Sequence, residues 1–409
     1  MKKFFKIFFG SLATLILVPI AILLSMYLFA PVYEFSEPVP FSGTKLYNPY
    51  QNMDYGFWRK YNFQVQSKAW GGVTSGSSNT NELIDSVYNA LGFDYVATSD
   101  YMKINYHGDE KANFIPTYEH GYNWFKTHQV CIDAKKVLWV DFIFYQNLNM
   151  KQWIIDLLQK NSQIVVLAHP TLRDGYALDD MKYLTNYNYI EVLNNMRTSI
   201  EHWDVALSSG QMAWIMGNDD AHDVLNPNHV GRKFTMINSP STTRHTIVQN
   251  LKSGKAYAVD FYPKMDVPLE ERIERSRDIP YLRDCDLSND NLTIVMSEIS
   301  DSIRFIGQNG KVLQTTANNR WASYKIKNED TYVRAEIYYP EQTTIYLNPI
   351  LRYEGDYPRS MKLAIVNESS TMAMHSMYVV VLFTITWFVF RRRIKKFKQK
   401  RERKKEQIL

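Results

Sequence analysis

The chain has 409 residues, 45% of them hydrophobic, which is enough for one large domain and a smaller one with an ample core. Its net charge of +5 comes from the ends, because three lysines near the N-terminus and eleven Lys or Arg from Arg391 onward leave 33 basic against 40 acidic residues in the body. An acidic body excludes a basic nucleic-acid-binding face, and the two cysteines, Cys131 and Cys285, exclude a disulfide framework and a zinc knuckle.

Residues 1–30 are predicted to form an N-terminal transmembrane anchor. The stretch 7–30 has no charged residue and follows Lys2, Lys3 and Lys6. As a helix it is long enough to cross the roughly 30 Å hydrocarbon layer of a bilayer. A cleaved signal peptide is the alternative, although the stretch is long for one and no Ala-x-Ala cleavage pattern follows it.

A linker over residues 31–61 leads into a region, residues 62–260, in which two patterns alternate. Short apolar runs bounded by polar turns predict buried strands, and stretches with helical periodicity lie between them. The strands are expected at 93–98, 164–168, 189–193 and 212–216, and the helices at 82–91, 150–160 and 242–253. Strand–helix alternation of this length predicts an α/β fold with a parallel sheet, either open or closed into a barrel.

The periodicity changes after a charged linker at 261–290. The segment 291–356 alternates polar and apolar residues, as in 332–339, and contains the turn Asn309-Gly310 between two short apolar runs. Asn-Gly between alternating segments is typical of a tight β-hairpin. The segment is therefore predicted to be a small, separate, sandwich-like β domain.

A second apolar stretch, residues 372–390, predicts a C-terminal transmembrane helix, with a buried helix or strand as the alternative. A basic tail, 391–409, follows it directly. Both apolar stretches thus carry their positive charge on the terminal side, which predicts cytoplasmic termini and a body on the outer (periplasmic or extracellular) side of the cell membrane. Lipid is accordingly an expected partner of both helices and of the tail.

Several residues with catalytic or metal-binding chemistry follow the predicted strands. Asp100, His169 and the pair Asp220/His222 each come just after the end of a strand. In β/α barrels the loops at these strand ends converge on one site. We therefore expect these side chains to lie close together.

The same residues resemble the PHP (polymerase and histidinol phosphatase) family over about residues 62–259. Members have a distorted seven-stranded β/α barrel that holds two or three divalent metals and hydrolyses phosphate esters. The opening unit of that family carries His-x-His, where this chain has Gln64-Val65-Gln66, and a strand ending in Asp-His, where this chain has Asp100-Tyr101. The other family ligands match Glu119, His128, His169 (in Ala-His-Pro) and the closing Asp-x-His, Asp220 to His222.

The resemblance implies three metal positions, and this chain retains the ligands of each position to a different extent. One uses Glu119, His128 and His169, which are all present. A second uses the residues at Gln64 and Gln66 with Glu119 and Asp220, and glutamine offers only a neutral amide oxygen, which is a weak ligand for Zn, Mn or Fe. A third pairs His222 with the position of Tyr101. We expect fewer ions than three, with Glu119 and Asp220 as the catalytic carboxylates.

The expected ligand is a small phosphorylated molecule. Lys68, Asp100 and Arg173 are the candidate substrate-binding residues, because they lie beside the predicted site and an Arg binds phosphate bidentately. Trp70 is expected to pack in the core, with a place in the pocket wall as the alternative.

Two functions are compatible with this pattern. The first is a membrane-anchored metal-dependent phosphoesterase, impaired by the loss of His-x-His or working with a single metal. The second is an inactive relative that binds a ligand or an unidentified protein partner at the membrane.

Overall fold

The three helices predicted in the body form within a few residues of the expected positions. The protein is described here from a computed structural model that covers residues 22–74, 76 and 78–406, with residues 8, 11, 12, 15, 19 and 20. The helix expected at 82–91 is Asn81–Ala90. The Thr80 hydroxyl accepts a hydrogen bond from the backbone N–H of Leu83 at 3.2 Å, which satisfies one of the free donors of the first turn. Gly92, at φ +74°, ends it in the left-handed conformation that glycine adopts without strain.

Strands make up much of the rest of the body. The helices of more than six residues are Asn81–Ala90, Leu148–Asn161, Ile200–Ser208, Arg244–Lys252, Leu269–Arg275 and Glu368–Glu406. The strands are β1 (Tyr33–Phe35), β2 (Lys45–Tyr47), β3 (Trp58–Val65), β4 (Tyr95–Thr98), β5 (Thr117–His120), β6 (Gln129–Ala134), β7 (Ser162–Leu167), β8 (Tyr189–Asn194), β9 (Trp214–Asn218), β10 (Lys233–Asn238), β11 (Ala256–Asp260), β12 (Leu282–Ser288), β13 (Asn291–Gly307), β14 (Lys311–Lys325), β15 (Tyr332–Tyr338), β16 (Thr344–Tyr353) and β17 (Ala364–Val366).

Two sheets dominate the unit formed by residues 35–364. The larger has ten strands, in the order β12-β13-β15-β16-β11-β10-β3-β4, with β14 beside β13 and β2 beside β16. The smaller has five, in the order β5-β6-β7-β8-β9. Among the described strands of these two sheets, the pairs β3–β4, β7–β8 and β8–β9 are parallel. The fold is mixed α/β, as predicted. A separate two-stranded sheet pairs β1 with β17.

The expected closed seven-stranded barrel does not form among the described residues. Strands β3 and β4 belong to one sheet and β5 to β9 to the other, and single bridges, Tyr101 with Glu119 and Val65 with Ala221, join the two. One edge of β3 is taken by β10, which pairs with it antiparallel. Single bridges replace a continuous hydrogen-bond ladder at both junctions between the sheets. The two sheets therefore face one site without closing a barrel.

The expected separate β domain at 291–356 is also not observed. The predicted hairpin forms, with Asn309 at φ 59° in its turn, but β15 and β16 continue through β11 and β10 into β3. Leu347 of β16 pairs with Tyr257 of β11, and both belong to one buried cluster with Val65. The predicted linker 261–290 likewise contains a helix and β12. Edge strands with free hydrogen-bonding groups pair readily, and sequence periodicity does not specify the partner.

The C-terminal helix is long and apolar enough to cross a membrane. Its part Glu368–Arg392 has a mean hydropathy of 1.8 over its most apolar window, and none of that window is buried within the protein. The predicted span 372–390 lies inside this helix. Nine of the 24 residues of the predicted N-terminal span at 7–30 lie outside the described residues, so this span stays a prediction.

Candidate metal centre

Three predicted ligands meet where β5, β6 and β7 lie side by side. Glu119 is in β5, while His128 precedes β6 and His169 follows β7. Gln129, the first residue of β6, pairs with Leu167, the last of β7, and the N–H of Ala168 donates to the carbonyl of His128 at 3.1 Å. This register brings two histidines that are far apart in the chain to the same end of the sheet.

The three side chains form a compact buried group. Glu119, His128 and His169 each offer one ligand atom, and these atoms all lie within 4.8 Å of one another. The Glu119 Oε1 is 2.5 Å from His128 Nδ1 and 3.3 Å from His169 Nε2. The three residues are at most 1% exposed. A carboxylate with two imidazoles is a donor set suited to a divalent transition metal.

The charges in this group are distributed unevenly. Burial favours the neutral form of Glu119, but the two imidazoles outweigh it and hold its pKa well below the ordinary value. Burial lowers the pKa of His128. The same burial acts on His169, but the hydrogen bond to Glu119 and the charges of Glu119, Asp220 and Glu191 raise the pKa of His169 to about 9. In the metal-free protein, these interactions favour the protonated form of His169.

Gln66 completes the hydrogen bonding of Glu119. The Gln66 Nε2 donates to Glu119 Oε2 at 2.6 Å and to the carbonyl of Ser99 at 3.1 Å. This amide presents its N–H groups, not its oxygen, to the carboxylate. In this orientation, an N–H group of Gln66 occupies the position beside Glu119 Oε2 that a metal ion would take. Gln66 therefore does not act as a ligand.

Asp220 and His222, two further predicted ligands, lie outside the three-residue group. Asp220 is buried, and its Oδ2 accepts a hydrogen bond from Asn194 Nδ2 at 3.2 Å. The Nδ1 of His222 lies 2.7 Å from the backbone carbonyl of Asp220 and 3.8 Å from its Oδ1. The charge of Asp220 contributes to the raised pKa of His169. The imidazole of His222 instead contacts the backbone of its own turn.

Several predicted ligands have buried polar atoms without a hydrogen-bond partner, and these atoms test whether the site fits a metal. Among the described residues, the amide oxygen and nitrogen of Gln64, Oε1 of Gln66, Nδ1 of His169 and Oδ1 of Asp220 have no hydrogen-bond partner. Leaving a buried polar atom without a partner costs about 1–3 kcal/mol. Unpartnered atoms of this kind, together with the Glu–His–His group, fit a site that binds a metal cation.

The predicted substrate-binding residues are placed differently from one another. The Asp100 carboxylate is buried and accepts from the N–H and the hydroxyl of Ser67, both at 2.8 Å, so it holds the turn after β3. Lys68 is exposed. Arg173 is exposed and donates to the carbonyl of Trp124 at 3.0 Å. Contacts of these residues with a substrate stay predictions.

Sequence reasoning missed Glu191. This buried residue of β8 accepts hydrogen bonds from the N–H of His169 and from Asn194, both at 2.9 Å, and from Asn218 at 2.8 Å. Burial is the largest influence and raises the pKa of Glu191 to about 8. The available signal was an acidic residue in the middle of a strand predicted to be buried, since such a group needs specific partners.

A cavity of roughly 570 Å³ adjoins the group, and Trp70 lines it with His128 and Trp139. Trp70 is 46% exposed, so the expectation that it packs in the core was wrong. The cavity lies beside the three-residue group, where an expected ligand would enter.

Comparisons with known proteins give little beyond this geometry. No family model matches the chain, and no curated protein matches it. Among solved structures, the chain is similar to a two-domain protein from Bacteroides vulgatus that contains a predicted PHP-like metal-dependent phosphoesterase. The identity is 10% and the TM-score 0.36, over 81% of this chain and 99% of the other. A similarity at this level does not assign a family or an activity.

Proposed function

We propose that this protein is a metal-dependent phosphoesterase with one divalent ion, Zn, Mn or Fe, held by Glu119, His128 and His169. The observation that carries the proposal is the convergence of these three ligand atoms within 4.8 Å in a buried site. The match of the same residues to the ligands of phosphate-ester hydrolases supports the choice of reaction. A bound ion of this kind would polarise a phosphoryl oxygen as a Lewis acid and would lower the pKa of water to near neutral.

The protein's own groups have distinct roles in this proposal. Glu119 supplies the negative charge that balances the ion. His169 must lose its proton before it can ligate, because only the neutral imidazole has a free lone pair. Glu191 positions His169 through its backbone N–H. Lys126, which also lines the cavity, places a positive charge near the position of an incoming phosphate.

One ion is favoured over two or three. The Gln66 amide already satisfies Glu119 Oε2, and His222 lies outside the group. Tyr101, at the position of a family histidine, instead packs its ring 5.4 Å from that of His128. A weak second position would need Gln66 to present its amide oxygen in place of the N–H groups that donate to Glu119 and Ser99.

A non-catalytic, ligand-binding role is the second candidate. The observation that favours it is the internal neutralisation of Glu119, which has Gln66 on one oxygen and the imidazoles on the other. Such an arrangement keeps a buried carboxylate stable without any metal.

The membrane anchoring is part of the proposal. The C-terminal helix, with the basic segment after Arg391, would hold the body at the outer face of the membrane with the tail in the cytoplasm. Protease treatment of intact cells is expected to degrade the body and to spare a tag placed at the C-terminus. Degradation of that tag would reverse the proposed orientation.

The function is tested on the full-length chain purified in detergent. Metal analysis is expected to find close to one Zn, Mn or Fe per chain, with hydrolysis of 4-nitrophenyl phosphate that Glu119→Gln abolishes together with the metal. Glu336→Gln is the matched control, since Glu336 is also buried and bonded to a cation, Arg334. A chain that binds no metal from millimolar Zn²⁺ or Mn²⁺ would exclude the enzyme and leave the ligand-binding role.

A further inference from the structure

His128 connects the metal centre to the adjoining cavity. It is a member of the Glu–His–His group and also lines the cavity. Gly121 lies between them, at φ +127°, and a Cβ on it would come within 2.4 Å of His128 Cδ2. The absence of a side chain at this position lets the imidazole approach the β5 end closely. A molecule in the cavity would therefore be adjacent to the metal ligands.

Aromatic rings form much of the cavity wall. Trp70, Tyr101, Tyr122 and Trp139 come from four separate segments of the chain. Trp70 and Trp139 meet edge to face, with ring centroids 6.1 Å apart and planes at 74°. Trp70 Nε1 donates to the carbonyl of Tyr101 at 2.8 Å, which holds its ring in place. With 46% and 59% exposure, the two tryptophans keep open ring surface at the cavity.

Polar atoms of the wall are largely engaged elsewhere. Asn123 accepts from the N–H of Thr127 at 2.8 Å and donates to the carbonyl of Thr127 at 3.0 Å. The hydroxyl of Tyr122 donates to the carbonyl of Asp141 at 3.2 Å. A polyhydroxylated ligand would find few free partners here. Burial of an apolar ring in such a cavity costs less free energy, because the ring has no hydroxyl that would lose its hydrogen bonds to water.

The charge of the wall is positive. Lys126 is half-buried, its Nζ lies 5.3 Å from the centre of the Tyr101 ring, and no carboxylate of the described residues forms an ion pair with it. The wall thus combines flat aromatic surface with one cation beside a metal-ligating histidine. A cavity of roughly 570 Å³ is of the size that holds a small ligand.

We infer that this cavity binds the planar aromatic ring of the substrate, and that the substrate class is phosphate monoesters whose alcohol carries such a ring without further hydroxyl groups, as in aryl and benzyl phosphates. This inference rests on the proposed phosphoesterase function, which places the phosphate at the Glu119–His128–His169 group. The ring would stack on Trp70 or Trp139, since aromatic side chains recognise flat rings through their π faces.

Binding of two matched probes to the full-length, metal-loaded protein tests the inference. Phenylphosphonate and cyclohexylphosphonate have the same number of carbon atoms and the same charged group, and only the first has a planar ring. Calorimetry is expected to find phenylphosphonate bound about tenfold more tightly. Trp139→Ala or Trp70→Ala should remove that preference and the matching Phe variant should restore most of it, whereas Trp321→Ala, which removes another half-exposed tryptophan from β14, should leave it unchanged.

Equal affinity for the two phosphonates, or a preference that survives both Trp139→Ala and Trp70→Ala, would overturn the inference. The readout is binding, not turnover, so it separates the two proposals. A ring preference in a protein that binds no metal and hydrolyses nothing would overturn the phosphoesterase function alone. Hydrolysis without a ring preference would overturn the substrate class alone.

Discussion

The two sheets that face the site contribute different chemistry to it. The five-stranded sheet supplies or leads into Glu119, His128, His169, Glu191 and Asp220, all buried. From the ten-stranded sheet come two amides, Gln64 and Gln66, and a carboxylate, Asp100, that is already bonded to Ser67. One side of the site is thus built for a cation, and the opposite side is neutral where it meets Glu119. This asymmetry is the physical basis for expecting one metal ion.

The asymmetry also explains how the site can be stable without metal. A buried carboxylate needs partners, and Glu119 finds imidazoles on its own sheet and the Gln66 amide across the seam. If the two sheets differ in this way, substitutions on the five-stranded side should reduce stability and metal affinity more than substitutions on the ten-stranded side.

The largest expected effect is that of Glu119→Ala. It leaves the positive charge of His169 without its nearest partner in a buried site, so the free energy of unfolding of the metal-free protein should fall by about 3–5 kcal/mol. Urea unfolding followed by far-UV circular dichroism measures this change. A loss below about 1 kcal/mol would mean that Gln66 and the histidines do not depend on Glu119.

Introducing imidazoles on the ten-stranded side should remove the asymmetry. The double substitution Gln64→His and Gln66→His is expected to raise the metal content from one to two ions per chain. With free metal at 100 times the dissociation constant, the added site should stabilise the fold by about 2.7 kcal/mol. Metal analysis and thermal unfolding with and without Zn²⁺ measure both quantities, and an unchanged metal content would contradict the assignment of this second position.

A smaller effect is expected from Glu191→Gln. Groups that orient a metal ligand typically contribute about 10–100-fold to metal affinity, and Glu191 accepts the backbone N–H of His169. Chelator competition should show a loss in that range, with the ion still bound. Gln129→Glu, which alters the partner of the structural His120 on the same sheet, serves as a comparison that should leave the affinity within about threefold. Complete loss of the metal would make Glu191 a ligand.

The smallest effect concerns a buried cation on the ten-stranded side. Lys60 of β3 lies 4.2 Å and 4.4 Å from the ring centres of Phe93 and Phe234 and donates to the carbonyl of Leu91 at 3.0 Å. Burial lowers the pKa of Lys60 to about 7. Since the unfolded chain holds this proton up to a higher pH, the contribution of Lys60 to stability is least favourable below about pH 7 and improves as the pH rises.

The free energy of unfolding of the natural chain should therefore gain about 1–2 kcal/mol between pH 7 and pH 9 relative to Lys60→Met. Urea unfolding at both pH values measures the difference. Lys311→Met, an exposed lysine in β14, is the control and should follow the natural chain. Equal pH dependence in Lys60→Met and the natural chain would contradict the lowered pKa.

Much of the local structure follows from nearest neighbours in the sequence. The cap at Thr80 and the stop at Gly92 define one helix, and the Asn309-Gly310 turn defines one hairpin. The Glu119, His128 and His169 group was predicted from the resemblance of these residues to the ligands of a known family, and of the three only His169 was placed at the end of a predicted strand. Long-range pairing was not predictable, since the alternation in 332–339 is equally compatible with a separate sheet and with a continuation of β11.

Residue identities along the chain specify the helices with clear caps or stops, several strand positions and the donor types at the site, because these depend on side-chain chemistry and short-range geometry. Tertiary structure alone establishes the rest. The seams between the two sheets, the direction of the Gln66 amide, the role of Glu191 and the aromatic cavity all arise from contacts between residues dozens of positions apart, and local periodicity carries no information about such contacts.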